Sequence, residues 1–159
     1  MSLLAAAILV GSSQPAAPQP QRIPIVTRLV QRFSELESSL MDATAAGDAT
    51  RAAAFLAQDF EMRVGSAPDN PIPRPEWLLR IGAHPTRCDI GSMAVHDLVN
   101  SAAVSFRCGG SRASSFVLDI WVSDRDGWKL QVRYASPAAG PSSGLPGGVA
   151  PGNATVKKK

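Results

Sequence analysis

The stretch Phe116–Ser136, FVLDIWVSDRDGWKLQVRYAS, constrains the fold more than any other part of this chain. Phe116–Ser123 and Trp128–Tyr134 are dense in β-branched and aromatic residues, and Asp124-Arg125-Asp126-Gly127 between them is a polar, turn-forming connection. The pattern predicts a β-hairpin. With those four residues as the loop, Ser123 faces Trp128 and Asp119 faces Val132. Side chains alternate along a strand, so one face carries Val117, Asp119 and Trp121 beside Leu130, Val132 and Tyr134. The opposite face carries Leu118, Ile120 and Val122 beside Lys129, Gln131 and Arg133. Both faces are partly apolar, so both need cover: the first as an interior holding one carboxylate, the second as an apolar stripe suited to a dimer contact. A three-residue loop would shift the pairing by one and break this grouping.

Upstream, the pattern is mostly helical first and extended later. In Ile25–Thr44, Val26, Leu29, Val30, Phe33, Leu36, Leu40 and Ala43 recur at three- and four-residue steps and form one apolar stripe. Arg28, Arg32, Glu35 and Glu37 fall largely off it. Gly47 is placed to end that helix in a left-handed conformation. Asp48 is placed to cap a second helix, Ala49–Ala57, through its carboxylate. Phe60–Val64 alternates apolar and charged residues as a half-buried strand does, whereas Ser66–Pro73, with three prolines, reads as loop. Pro75 opens a third helix, with Trp77, Leu78 and Ile81 as its apolar side and Gly82 as its stop. Cys88–Val99 and Ala102–Cys108 follow as two strands joined at Asn100-Ser101. The order implies an α+β domain over residues 25–137, a curved antiparallel sheet packed against three N-terminal helices.

The flanks read differently. Met1–Val10 is short and apolar and is followed by GSSQPAAPQPQ, a pattern that resembles a secretory signal and linker over residues 1–24, although it lacks a positive n-region. That implies a periplasmic or secreted protein. Residues 138–159 are rich in Pro, Gly, Ser and Ala and are expected to be disordered. The formal charge of +3 comes from Lys157, Lys158 and Lys159; without them thirteen basic residues balance thirteen acidic ones. The body is neutral, which gives no argument for a nucleic-acid partner. No stretch approaches the ~18 consecutive apolar residues of a membrane-spanning helix.

Two cysteines invite a disulfide, but the expected register separates them. With the turn at Asn100-Ser101, Cys108 lies opposite Met93, five residues from Cys88. That is about 16 Å along the strand, well beyond a disulfide reach of about 7 Å. Two free thiols are expected unless a bulge moves the register. His84, Cys88, His96 and Cys108 lack the paired spacing of a metal site, and no metal or cofactor is implied. His96 and Asp97 are adjacent strand residues on opposite faces and make no dyad. Arg63, Arg107 and Arg133 alternate with apolar residues and read as solvent or interface charges. Asp59 reads as a cap or salt-bridge partner at the end of the second helix. No Gly-rich phosphate loop, nucleophile elbow or HExxH motif occurs.

Three local patterns add to this order: Ala46-Gly47-Asp48 between two helices, Leu56-Ala57-Gln58-Asp59-Phe60 leading into a strand, and Asp119-Ile120-Trp121-Val122 followed by Asp126-Gly127-Trp128. Together they resemble the nuclear transport factor 2-like superfamily, the last two its domain-of-unknown-function 4440 branch, related to the SnoaL-like and ketosteroid isomerase branches. The resemblance covers roughly residues 25–137. It implies a cone: a bent antiparallel sheet wrapped on three helices, a ligand cavity at the open end, and frequent dimerisation through the outer sheet face. The isomerase branch uses a general-base Asp and an oxyanion hole of Tyr and protonated Asp. By resemblance the Tyr position falls on Leu40, the base on Val64 and the oxyanion-hole acid on Asp119. Val64 cannot accept a proton, so isomerase chemistry is not expected.

The resemblance and the hairpin register agree in turning Asp119 inward. They imply a pocket lined by Leu40, Val64, Trp77, Phe106 and Val117, with Asp119, Trp121, Val132 and Tyr134 on the hairpin side. Asp119 there either donates a hydrogen bond to a ligand carbonyl or is satisfied by a structural partner: the Tyr134 hydroxyl, the Trp77 or Trp121 indole, or a basic side chain. Three functions remain open. The first is a non-catalytic domain, dimeric through its outer sheet face, that binds a small apolar or carbonyl-bearing molecule. The second is a SnoaL-like isomerase- or hydrolase-type enzyme with Asp119 as general acid, which needs a second ionisable group facing Asp119. The third is an interaction module working through Leu118, Ile120 and Val122 alone.

Overall fold

The computed structural model describes residues 25–109 and 114–138. The expected signal segment and linker, and the tail beyond Ala138, lie outside them. Helix α1 (Ile25–Ala45) is followed by the short α2 (Ala49–Ala53), strands β1 (Leu56–Val64) and β2 (Ala67–Pro73), and α3 (Arg74–Ala83). Strands β3 (Ile90–Asp97), β4 (Ser101–Gly109), β5 (Ser114–Asp124) and β6 (Gly127–Pro137) follow. The six strands form one sheet in the order β2-β1-β6-β5-β4-β3. The fold class is the expected α+β, but the sheet is mixed, because β1 runs parallel to β6 while every other neighbouring pair is antiparallel.

The apolar stripe of α1 lies on the inner face of this sheet. Phe33, Leu40 and Ala43 are fully buried there with Val104, Phe106, Trp121 and Leu130. Phe33 packs between two indoles, with its ring centroid 6.1 Å from Trp121 and 5.0 Å from Trp128. Burial of such rings is the main stabilising contribution of this layer, roughly 1.5–3 kcal/mol for each large apolar side chain. The turn from α1 to α2 depends on Gly47, whose φ of +66° is left-handed. A Cβ at this position would also come within 2.9 Å of Pro85 Cγ. Asp48 caps α2 as expected, accepting from the Arg51 backbone N–H at 2.9 Å.

Several boundaries differ from the sequence expectation, for local reasons. Helix α2 stops at Ala53 and β1 already begins at Leu56. Asp59 therefore sits on a strand, where it accepts from Gln131 Nε2 at 2.8 Å. Ser66–Pro73 is mostly an edge strand, not a loop. Its prolines are tolerated because an edge strand has a side with no ladder partner to lose. Gly82 lies within α3, and His84 is the residue that ends it.

The β3–β4 and β5–β6 hairpins each carry a bulge, and both bulges overturn the expected register. In β3–β4 the turn is centred on Val99-Asn100, with the Leu98 N–H donating to the Ser101 carbonyl. A second irregularity falls between Gly91 and Ala94, where Ser92 has a φ of +52°. Cys108 consequently pairs with Ile90, not Met93. Cys88 lies two residues before Ile90, its Cα 5.2 Å from that of Cys108, and the two form a disulfide. The expectation of two free thiols is thus corrected.

In β5–β6, Ser123 pairs with Trp128 as expected, but the register shifts between Trp121 and Ile120. Trp121 pairs with Leu130 and Ile120 with Val132, which leaves Gln131 as the extra residue. Asp119 therefore faces Arg133, not Val132. Beyond the bulge, β6 exchanges its faces. Arg133 is buried inside, while Tyr134 is 43% exposed on the outer face, paired with Leu118.

Candidate functional site

The inner face of the sheet carries a buried ionic cluster built from three elements. Asp119 on β5 and Glu37 on α1 are both fully buried, and Arg133 on β6 is 6% exposed. Arg133 Nε donates to both oxygens of Asp119, at 2.9 and 3.1 Å, and Nη2 donates to Asp119 Oδ2 at 2.5 Å. The same Nη2 reaches Glu37 Oε2 at 3.1 Å. Glu37 Oε1 accepts the Trp121 indole N–H at 2.7 Å. Two acids and one base thus share a buried site.

Burial is the first cause that pushes the Glu37 carboxyl well above its ordinary value of 4.5, and the neighbouring charge of Asp119 adds to it. Arg133 and the Trp121 hydrogen bond oppose that shift without cancelling it. Burial also works against the charge on Arg133, but Asp119, by charge and hydrogen bonds, and Glu37 outweigh it and hold the guanidinium above its usual range. With a proton on Glu37, the cluster holds one cation and one anion and is electrically balanced.

Next to this cluster lies a cavity of about 460 Å³, lined by Met41 and Thr44 of α1, Met62, Val64 and Ile72 of β1–β2, and Trp77, Arg80 and Ile81 of α3. The connection from α3 to β3 adds His84, Thr86 and Cys88, and Arg133 completes the lining. Of the Arg133 nitrogens, Nη1 has no hydrogen-bond partner among the described residues, and it is not sealed in the core. It is the donor that the cluster leaves over for the cavity. The Cys88–Cys108 disulfide anchors the connection that forms one wall to β4.

The sequence-derived pocket divides under this geometry. Val64 and Trp77 do line the cavity, and Trp77 also packs against Phe60 with ring centroids 5.3 Å apart. Leu40, Phe106, Val117 and Trp121 are buried core and do not line it. Val132 and Tyr134 belong to the other face, because the Gln131 bulge reverses β6. Asp119 is inside, as expected, but Arg133 occupies both its oxygens and it does not line the cavity. Its partner is a basic side chain. The Trp121 indole goes to Glu37 instead.

Two functional residues were misassigned from the sequence. Arg133 reads as a surface charge only if β6 alternates without interruption. Glu37 lies four residues after Phe33 and three before Leu40, so the helical period puts it on the buried stripe; its charge alone argued for the outside. It is also the second ionisable group near Asp119 that the enzyme reading required. Among the described residues no cluster of side chains suits a metal ion, and no helix is long and apolar enough to cross a membrane.

No family model matches the sequence, and no curated protein matches it. Solved structures do match. A protein from Novosphingobium aromaticivorans, described as NTF2-like with a cystatin-like fold, superposes with a TM-score of 0.61 at 17% identity, covering 73% of this chain and 88% of that one. A protein of unknown function with a cystatin-like fold from Nostoc punctiforme gives 0.58 at 15% identity, over 77% of this chain and 97% of that one. A protein from Streptomyces avermitilis, provisionally described as a dehydratase of the NTF2-like family, gives 0.59 at 15% identity, over 72% and 99%.

Proposed function

The chain has the nuclear transport factor 2-like, cystatin-like α+β fold, and on that premise we propose that it is a non-catalytic domain that binds a small, largely apolar, carbonyl-bearing molecule. The observation that carries this reading is Arg133 Nη1, a spare donor at a cavity otherwise walled by Met41, Met62, Val64, Ile72, Trp77 and Ile81. An apolar body gains by displacing water from such walls, and one acceptor orients it. Enzyme chemistry with Asp119 as general acid is less well supported, since Asp119 does not line the cavity and Arg133 takes both its oxygens.

The test is thermal-shift screening with hydrophobic carbonyl compounds, on the native chain and on Ile72→Trp, which fills the cavity. A compound at about a hundred times its Kd stabilises by about 2.7 kcal/mol, several degrees for a domain of this size. The shift is expected in the native chain and lost in the variant. No shift with any compound, or an equal shift in both proteins, would overturn the reading.

The outer sheet face supports a second role, self-association. Phe116 and Tyr134 are 46% and 43% exposed there, and with Leu118 they line a groove of about 440 Å³. Leu118→Glu is expected to convert a dimer to a monomer in light scattering; an unchanged mass would remove this reading. The disulfide supports an oxidising compartment and hence export.

A further inference from the structure

Among the described residues, every charged or ionisable side chain that lines the cavity is basic: Arg80, His84 and Arg133. Arg80 is already paired with Glu76 at 2.6 Å in an exposed position. Arg133 is different, because it is buried and its Nη1 has no hydrogen-bond partner among the described residues. With Nε and Nη2 taken, Nη1 is the nitrogen left to donate, and a cationic N–H bonds a carboxylate oxygen more strongly than a neutral carbonyl oxygen. We infer that the cavity selects a monocarboxylate with an apolar body, and that Glu37 acts behind Arg133 as the positioning residue that couples its binding to proton uptake. This rests on the reading of the cavity as a binding site and narrows its ligand.

The coupling follows from which edges of Arg133 are occupied. Asp119 takes Nε and Nη2, and Glu37 takes Nη2 from the opposite element. When Glu37 is neutral, one anion balances the guanidinium and the Nη1 edge can accept a second. When Glu37 is ionised, two buried anions already share one cation, and a ligand carboxylate would be a third. Ligand and proton therefore favour each other. Among the described residues, the charged groups that face Glu37 are Asp119 from β5 and Arg133 from β6. His84 also lines the cavity and serves as the control position.

Octanoate and octanamide are suitable probes, equal in apolar body and differing in charge. Titration calorimetry between pH 6 and 9, in buffers of different ionisation heat, measures affinity and protons exchanged. Octanoate is expected to bind about tenfold more tightly than octanamide near pH 6. That advantage should shrink as the pH rises, with net proton uptake on binding. In Glu37→Gln the octanoate preference should persist without the pH dependence, and in His84→Asn the dependence should remain. Dependence that survives Glu37→Gln and disappears in His84→Asn would overturn the role of Glu37. If Glu37→Gln does not fold, proton uptake in His84→Asn decides alone, and its absence overturns the coupling. Equal affinity for both probes at every pH would overturn the carboxylate and leave the binding site standing. Binding of neither probe overturns the ligand class here, whereas only a failed carbonyl screen overturns the site itself.

Discussion

The β3–β4 and β5–β6 hairpins use the same device to opposite ends. Each carries a bulge that displaces its register, and each displacement joins two residues that regular pairing would keep apart. In β3–β4 the result is a covalent link, Cys88 to Cys108, at the edge of the cavity. In β5–β6 it is an ionic link, Arg133 to Asp119, beside the cavity and bound to Glu37 on α1. The first link fixes a wall and does not respond to pH. The second is adjustable, because its balance depends on one proton, and Arg133 also lines the cavity. A bulge re-aims a side chain without breaking the sheet, so the same fold can hold a rigid wall and a tunable floor.

Removal of Arg133 should break the comparison most severely. Arg133→Ala leaves Glu37 and Asp119 buried with no cation between them, a change that costs about 3–5 kcal/mol. Urea denaturation should show that loss. Replacing all three residues by apolar ones (Glu37→Leu, Asp119→Leu and Arg133→Met) should recover most of it, because the charges need one another more than the core needs them. A loss below about 1 kcal/mol for Arg133→Ala would mean that the guanidinium is not inside, and that the β6 bulge is misplaced.

The covalent link comes next. Replacing Cys88 and Cys108 together by Ser should cost about 2–4 kcal/mol, since the bridge closes a loop of 20 residues in sequence. It should also weaken ligand binding, because the His84–Cys88 wall loses its anchor to β4. Unchanged stability under reducing conditions would show that the thiols are not joined. The two losses should not simply add, because β4 and β5 are paired along their length and both links border one cavity.

This contrast also shows which parts of the structure could be read from the chain. The helical period of α1, the hairpin connection within Asp124–Gly127 and the inward side of Asp119 follow from spacing alone, and the fold follows from their order. Alternation fails at a bulge because one inserted residue reverses every side chain after it, so Val132 and Tyr134 read as inner and Arg133 as outer. A physical signal was nonetheless present. A buried carboxylate requires a partner, and Arg133 is the cation nearest Asp119 on the opposing strand. Glu37 was hidden by its charge, although Phe33 and Leu40 bracket it on the same face. The edge strand β2 was hidden by its prolines, and the disulfide by the combined shift of a turn and a bulge, which no local pattern encodes.

The smallest effect sharpens the tunable half of the comparison. The folded-state value of Glu37 lies above its unfolded value, so the native state binds the extra proton. Its contribution to stability is fully present below the unfolded value, near 4.5, and is lost as the pH rises toward the folded one. Between those limits stability should fall by about 1.4 kcal/mol per pH unit from this group alone. Other groups titrate over the same range, so the informative quantity is the difference between the native chain and Glu37→Gln, measured by urea denaturation from pH 5 upward. The variant should gain on the native chain as the pH rises, because its side chain carries no proton to lose. The Cys-to-Ser double variant should run parallel to the native chain at every pH. A Glu37→Gln profile that also ran parallel would leave both links equally rigid, and the distinction between the two hairpins would be one of chemistry alone.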